Sequence, residues 1–207
     1  MQLLSSAPVG VFDSGVGGIS VLRQLLRVLP HEDVLYYGDA ANAPYGTKPT
    51  AVIRSLTETA VEHLLSQGAK AIVLACNTAT SAAAATLRAK YPDLPIIGLE
   101  PALKPAALSS EYPTVVVLAT PLTLKEEKFA LLTRRFSDAC RLIKLPAPGL
   151  VPLVEQGRMG TDEARAALEA LFAPYRTERI DCVVLGCTHF PFLKRDLRAV
   201  LGERVQF

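Results

Sequence analysis

Apolar residues along the chain alternate between two arrangements. Six short and nearly continuous apolar runs, rich in Val, Ile and Leu, are typical of strands that are buried on both faces of a parallel sheet. These runs lie at 8–12, 33–37, 71–75, 95–99, 114–118 and 181–185. Between them, apolar residues recur at spacings of three and four, which predicts amphipathic helices. The predicted helices cover 18–28, 50–66, 78–90, 121–135, 161–172 and 190–201.

Strands that alternate with helices in this way predict an α/β fold with parallel sheets and right-handed crossovers. A domain boundary is predicted near 98–105, where GLEPALKP contains two prolines and the alternation then starts again. The predicted domains are therefore 1–98 and 99–207. A second loop-rich stretch, LPAPGLVP at 145–152, precedes a short helix that carries Glu155.

Composition narrows the class of protein. Half of the 207 residues are apolar and a fifth are charged, which is ordinary for a soluble globular protein. The net charge of +2 does not favour a nucleic-acid or membrane partner, and no apolar run approaches the length of about 18 residues that a membrane span needs. Four cysteines without a CxxC pair, and no visible secretory leader, predict a cytoplasmic protein. The sequence leaves a homodimer open.

Two cysteines occur in similar surroundings half a chain apart. Cys76 lies in IVLACNTA at 72–79 and Cys187 in VVLGCTHF at 183–190. Each follows a predicted strand and precedes a predicted helix, which is the sheet edge where open α/β folds bind ligands. The start of a helix favours a thiolate over a thiol. The polar residues that follow the two cysteines and could hold an anionic ligand are Asn77, Thr78, Thr188 and His189.

Two further stretches are candidates for binding. In GVFDSGVGG at 10–18, a predicted strand ends at Asp13 and Ser14, and glycines then expose backbone N–H groups that can bind anions. The stretch lacks both GxGxxG spacing and the GK[ST] of a P-loop, so a nucleotide site is not favoured. GDAANAPYGTK at 38–48 reads from spacing alone as a polar surface loop. Its turn is formed by Pro44, Tyr45 and Gly46.

Several kinds of chemistry fit these residues. Three histidines without ligand pairs at metal spacing predict no metal site. A nucleophilic triad of Cys187, His189 and Asp13 would make a thiol hydrolase, but it leaves Cys76 unexplained. Two thiols on opposite faces of a carbon could remove a proton and return one, which inverts a stereocentre without a cofactor. A module that binds a dicarboxylate without catalysis is a third reading. Cys140 and Cys182 are interpreted as inert buried thiols.

Six motifs in order resemble those of glutamate racemases, within the aspartate/glutamate racemase superfamily. They are DSGVGG at 13–18, APYGTK at 43–48, ACNTAT at 75–80, LATPLT at 118–123, LVPLVEQG at 150–157 and GCTHFP at 186–191. The resemblance implies two α/β domains with the active site in the cleft between them. It also implies cofactor-independent interconversion of L- and D-glutamate, which supplies D-glutamate for peptidoglycan. Aspartate racemase, or a related cofactor-independent isomerase, is the alternative.

The resemblance also implies roles for individual residues. Cys76 and Cys187 would be the proton-transfer thiols, with Cys76 acting on the D-isomer and Cys187 on the L-isomer. Asp13 and His189 would assist them, and Glu155 would support His189. The residues implied to bind substrate are Asp13, Ser14, Pro44, Tyr45, Gly46, Asn77, Thr78, Thr120, Thr188 and His189.

The sequence departs from the family pattern at two places. Phe190 stands where the family usually has tyrosine. The family also continues beyond Phe207 with a strand and a helix that return to the first domain, so RVQF at 204–207 is expected to start that return. The closing segment is expected to be absent from this chain.

Overall fold

A computed structural model describes residues 6–207 and divides the chain into two compact units. The first unit ends at Glu100 and the second spans Pro101–Phe207, so the division falls inside the stretch that was predicted as a boundary. Each unit has its own parallel sheet with flanking helices, which confirms the predicted fold class. Among the helices of residues 6–207, none combines the length and hydropathy that a membrane crossing needs.

The first unit is built on a four-stranded parallel sheet in the order β2-β1-β3-β4. Its strands are β1 (Val9–Asp13), β2 (Val34–Gly38), β3 (Ala71–Leu74) and β4 (Ile96–Gly98). Its helices are α1 (Ile19–Val28), α2 (Thr50–Ser66) and α3 (Asn77–Lys90). All four strands were predicted to within one residue at each end. Because β1 is a central strand, the residues that follow Asp13 lie near the middle of the edge formed by the carboxyl ends of the strands.

Two helices of the first unit differ in how much they bury. Helix α2 buries one face made of Ile53, Thr57, Ala60, Val61 and Leu64, whose spacing of three and four is the pattern that predicted it. Helix α1 buries none of its ten residues. Its Val21 and Leu25 pack at the margin of an apolar cluster that includes Val9, Val11 and Val73. Burial therefore holds α2 to the sheet more firmly than α1.

The second unit has a three-stranded parallel sheet in the order β6-β5-β7. Its strands are β5 (Thr114–Ala119), β6 (Arg141–Pro146) and β7 (Cys182–Leu185). Its helices are α4 (Leu103–Ala107), α5 (Pro121–Lys125), α6 (Glu127–Arg134), α7 (Leu150–Glu155), α8 (Asp162–Phe172) and α9 (Lys194–Leu201). Alternate residues of β5 belong to two different apolar clusters. Val116 and Leu118 lie in the larger cluster, and Val115 and Val117 lie in the other. The central strand is thus buried on both faces, as its continuous apolar run predicted.

Three features of the second unit differ from the prediction. The strand β6 was missed because its apolar residues are interrupted: buried Ile143 and Leu145 are separated by exposed Lys144. The helix predicted over 121–135 is divided at Glu126, where ψ is 141° and the backbone is extended. The helix predicted over 190–201 starts as a 3-10 turn at Phe190–Leu193 and becomes α-helical only at Lys194.

The last described residues contact the second unit. Gln206 forms an isolated parallel bridge with Cys182 of β7, and its carbonyl accepts a hydrogen bond of 2.8 Å from the Val183 amide. Val205 is buried in the larger apolar cluster of the second unit. Val205 therefore adds to the burial within the second unit, and the return to the first unit stays a prediction.

Candidate active site

The turn after β1 places a buried carboxylate at the sheet edge. The Asp13 side chain is fully buried, and the Gly15 amide donates a hydrogen bond of 3.1 Å to its Oδ1. A Cβ atom at position 18 would lie 2.4 Å from the Cβ atom of Asp13, far inside van der Waals contact. Glycine at position 18 is therefore required by the close approach of Asp13, and this accounts for part of the GVGG sequence.

Cys76 lies between β3 and α3 and is the N-cap of that helix. Its Sγ accepts a hydrogen bond of 3.4 Å from the Ala79 amide, and the thiol donates to the Ser14 hydroxyl at 3.4 Å. Burial, and then the nearby charge of Asp13, raise the pKa of the Cys76 thiol to about 11. The hydrogen bond with Ser14 and those with the backbone of Ala79 and Thr78 oppose this rise only in part. The start of α3 favours the thiolate of Cys76 through these backbone hydrogen bonds, as expected, but burial and the charge of Asp13 outweigh them, so the pKa of the thiol rises.

The first residues of α3 present polar groups beside the thiol. Asn77 and Thr78 are both buried. Within residues 6–207, the Asn77 Oδ1 is buried without a hydrogen-bond partner. A buried acceptor without a donor is costly, so this oxygen is suited to accept a hydrogen bond from a bound ligand.

The loop after β2 is held to the end of β1, although its spacing alone suggested an ordinary surface loop. Tyr45 is buried, and its hydroxyl donates a hydrogen bond of 2.6 Å to Oδ2 of Asp39. Asn42 donates to both oxygens of the same carboxylate at 3.0 and 3.1 Å. The Asp39 amide in turn donates to the Asp13 carbonyl at 3.0 Å. Burial and the hydrogen bond to Asp39 raise the pKa of Tyr45, which keeps its hydroxyl protonated.

Cys187 occupies a different kind of turn in the second unit. The Gly186 amide donates a hydrogen bond of 2.7 Å to the Leu118 carbonyl, and a Cβ atom on Gly186 would lie 2.9 Å from that of Ala119. The turn is therefore packed closely against β5. Cys187 is buried, and it precedes a 3-10 turn, so the predicted helix N-terminus is absent at this thiol. Its Sγ lies 3.6 Å from Nδ1 of His189.

His189 connects Cys187 to a carboxylate. The imidazole is buried, and its Nε2 lies 2.5 Å from Oε1 of Glu155, the last residue of α7. The Thr188 hydroxyl lies 3.5 Å from Nδ1. In the neutral ring, a proton on Nε2 directed at Glu155 leaves Nδ1 as the acceptor that faces the Cys187 thiol. This arrangement suits His189 to take up and return the proton of that thiol.

Both units contain residues that were predicted for the site. Thr120 follows β5 and is the N-cap of α5, with its Oγ1 2.9 Å from the Thr123 hydroxyl. The first unit contains Asp13, Ser14, Pro44, Tyr45, Gly46, Cys76, Asn77 and Thr78. The second unit contains Thr120, Glu155, Cys187, Thr188 and His189. Cys140 and Cys182 lie in an apolar cluster, and burial raises the pKa of both thiols.

Sequence reasoning missed Asp39 and Tyr36 as parts of this site. Asp39 carried a usable signal, since a carboxylate two residues after a predicted strand resembles the Asp13 position. Tyr36 carried none, because it lies inside a strand whose other residues are apolar or glycine. Within residues 6–207, no group of three His, Cys, Asp or Glu side chains is arranged to hold a metal ion.

Known proteins resemble this chain along almost its whole length. The sequence profile described as Asp/Glu/hydantoin racemase matches residues 9–206. A glutamate racemase of Clostridium perfringens strain SM101 is 50% identical over 202 residues, which are 98% of this chain and 78% of that protein. A glutamate racemase of Bifidobacterium animalis subsp. lactis is 53% identical over 206 residues, or 98% and 80% of the two chains.

Solved structures of glutamate racemases also resemble this chain. Escherichia coli glutamate racemase, in complex with L-glutamate and the activator UDP-MurNAc-Ala, superposes with a TM-score of 0.87 at 36% identity. The match covers 97% of this chain and 77% of that one. The Francisella tularensis glutamate racemase in complex with D-glutamate gives a TM-score of 0.83 at 29% identity, with 99% and 77% covered. An aspartate racemase of Picrophilus torridus shares only the fold, with a TM-score of 0.61 at 17% identity.

Proposed function

The chain belongs to the Asp/Glu/hydantoin racemase family and is an amino-acid racemase. From this premise we propose that it interconverts L- and D-glutamate without a cofactor, by proton transfer between Cα and two thiols. Relatives at 50% identity or more over nearly the whole chain are glutamate racemases, which supports glutamate as substrate. The solved structures of an aspartate racemase and of an aspartate racemase homologue share too little sequence with this chain, 17% and 14%, to favour aspartate. The product D-glutamate is proposed to serve peptidoglycan synthesis in the cytoplasm.

One observation carries the mechanism: each unit has a buried cysteine two residues after a strand, and each cysteine has a neighbour that can influence or transfer its proton. Asp13 lies near Cys76, and His189 contacts Cys187. A single nucleophilic thiol would need only one of these arrangements. Two of them fit a reaction in which a proton leaves one face of a carbon and another arrives on the opposite face.

In the proposed reaction, L-glutamate loses its α-proton to the Cys187 thiolate, which forms the Cys187 thiol and a carbanion at Cα. The Cys76 thiol then donates its proton to the opposite face, which gives D-glutamate and a Cys76 thiolate. The reverse direction uses the same groups with their roles exchanged. His189, held by Glu155, takes the proton from Cys187 before the step.

The electrostatics around Cys76 support its role as the acid that protonates the carbanion formed from L-glutamate. A thiol with a pKa of about 11 carries its proton at neutral pH, and it is a stronger base once that proton has been given away. A strong thiolate base is needed because a proton α to a carboxylate is weakly acidic.

The polar groups around the two thiols are proposed to hold the substrate. The unpartnered Oδ1 of Asn77 accepts from the α-ammonium group. The other groups proposed to contact the carboxylates or the ammonium group are Asp13, Ser14, Pro44, Tyr45, Gly46, Thr78, Thr120, Thr188 and His189.

The test is incubation with L- or D-glutamate in heavy water, with no added cofactor. The two-thiol mechanism predicts that the product isomer carries deuterium at Cα from the first turnovers, while the remaining substrate isomer stays unlabelled, because the abstracted and the delivered protons sit on different sulfurs. Cys76→Ser and Cys187→Ser should each abolish racemisation, since a serine hydroxyl is a much weaker base. Cys140→Ser, another buried thiol, is the matched control and should racemise normally.

Other outcomes identify the competing readings. A thiol hydrolase that uses Cys187, His189 and Asp13 would keep its activity on an ester or amide in Cys76→Ser. A binding module would retain glutamate without exchanging its α-proton. Faster racemisation of aspartate than of glutamate would assign the alternative substrate. Racemisation at the wild-type rate by either single cysteine variant would exclude the two-thiol mechanism.

A further inference from the structure

Tyr36 is a side chain of the first unit that the proposed chemistry does not use. It lies in β2, an edge strand, and packs at the margin of the apolar cluster formed by Val9, Val11 and Val73. Its hydroxyl donates a hydrogen bond of 2.6 Å to the Gly15 carbonyl. This bond connects the edge strand to the turn that directly follows Asp13.

Two glycines make room for this contact. A Cβ atom at position 18 would lie 2.7 Å from the Tyr36 hydroxyl oxygen as well as 2.4 Å from Cβ of Asp13. A Cβ atom at position 38 would lie 2.9 Å from the Gly15 carbonyl oxygen. The Tyr36 hydroxyl and the Asp13 side chain therefore lie side by side, in a space that exists because two residues lack side chains.

Gly15 transmits the contact from Tyr36 to the carboxylate. Its carbonyl accepts from Tyr36, and its amide donates to Oδ1 of Asp13. A peptide held at its carbonyl has little freedom to turn its neighbouring amide. We propose that Tyr36 is a positioning residue for racemisation, which fixes Gly15 and through it the orientation of the Asp13 carboxylate beside Cys76. Its catalytic meaning rests on the function proposed above.

Loss of the Tyr36 hydroxyl should change the pKa of the Cys76 thiol. The charge of Asp13 is second only to burial in raising the pKa of this thiol, and it outweighs the opposing effect of the hydrogen bond with Ser14. An Asp13 carboxylate that is no longer held toward Cys76 should raise that pKa less. Tyr36→Phe should therefore increase the thiolate fraction at Cys76 and the reactivity of that sulfur.

The experiment compares Tyr36→Phe with Tyr37→Phe and the unaltered chain. Tyr37 is the next residue of β2; its ring contacts Phe12 and His63, but its hydroxyl forms no hydrogen bond within residues 6–207. Alkylation by iodoacetamide near neutral pH is followed at each cysteine by mass spectrometry. We expect Cys76 to react about threefold faster in Tyr36→Phe, as a half-unit fall in pKa would produce. Cys140, Cys182 and Cys187 should keep their rates, and all four rates should be unchanged in Tyr37→Phe.

Racemase kinetics complete the test. We expect kcat/KM of Tyr36→Phe to fall about tenfold through kcat, with KM little changed, because one hydrogen bond that orients a catalytic group is lost. Equal acceleration of all four cysteines would indicate general loosening and would overturn the proposal, as would an unchanged rate at Cys76 or an unchanged kcat/KM in an active enzyme. If the unaltered chain did not racemise glutamate, the proposed function would fail, while the rate at Cys76 would still decide whether Tyr36 orients Asp13.

Discussion

Cys76 and Cys187 have similar neighbours in sequence and different surroundings in space. The pattern of apolar residues was enough to place both cysteines after strands, because strand ends can be read from where a continuous apolar run stops. It could not predict their protonation. The pKa of Cys76 depends on burial and on Asp13, which comes from another strand. The pairing of Cys187 with His189 depends on a 3-10 turn that replaces the expected helix start.

Residues without a periodic or motif signal were missed at this scale. The hydrogen bonds of Asp39 with Tyr45 and Asn42 form only when the loop folds back on itself. Nothing in local spacing distinguishes this loop from one that is free in solvent. Tertiary contacts of single polar side chains are therefore the part of the site that sequence patterns leave undetermined.

Gly18 provides a prediction at the residue scale. Gly18→Ala should destabilise the chain by about 1–3 kcal/mol, the usual cost of overpacking, and should greatly reduce racemisation, because the new methyl group would displace Asp13. Urea unfolding and a racemase assay measure the two effects. Gly149→Ala is the matched control, since a Cβ atom there has no neighbour within 4 Å. Full activity in Gly18→Ala would show that Asp13 tolerates displacement.

At the scale of elements, prediction succeeded for strands whose apolar residues follow one another without interruption in the sequence. The strands β1, β2, β3, β4, β5 and β7 were predicted from continuous apolar runs. The edge strand β6 was not, because Arg141 and Lys144 interrupt its apolar residues and face solvent. No Pro or Gly marks the division between α5 and α6 at Glu126. The periodic pattern of apolar residues continues across it and therefore predicts one helix.

Helix α8 allows a prediction at this scale, because its N-cap lies outside the candidate site. The Thr161 hydroxyl accepts a hydrogen bond of 3.3 Å from the Ala164 amide. Thr161→Ala should lower the free energy of unfolding by about 1 kcal/mol and leave racemase activity unchanged. Urea denaturation measures the first and an assay the second. Thr177→Ala, at an exposed threonine that caps no helix, should leave stability unchanged; an equal loss in both variants would contradict the capping role.

For the whole molecule, the division into two units followed from the renewed alternation of strands and helices after two prolines. The contacts of residues 205–207 could not be predicted from the sequence, because the burial of Val205 depends on the packing of the second core and four residues carry no periodic pattern.

Alkaline pH should reduce the stability of the whole molecule. The pKa of Cys76 rises from 9.0 to about 11 on folding, so above about pH 9 the unfolded chain loses a proton that the folded chain retains. The free energy of unfolding should then fall by up to about 1.4 kcal/mol per pH unit until about pH 11. Tyr45, whose pKa is also raised, adds a loss of the same sign above its ordinary value of 10.0.

Urea unfolding of Cys76→Ser beside the unaltered chain measures the part due to the thiol. Both proteins should show no change from these groups between neutral pH and about pH 9, and the variant should lose less stability above it. Identical pH dependence in the two proteins would mean that the thiol is no harder to ionise in the folded chain than in the unfolded one.

The absence of buried residues in α1 has a consequence for motion. A helix that buries little apolar surface can open locally at a small cost in free energy, whereas a central strand opens only when the sheet does. Amide hydrogens of α1 should therefore exchange with solvent much faster than those of Val11 and Phe12 in β1. Asp13 belongs to β1, where exchange is expected to be slow, and α1 is expected to exchange fast. The carboxylate can therefore stay ordered while the helix beyond it opens.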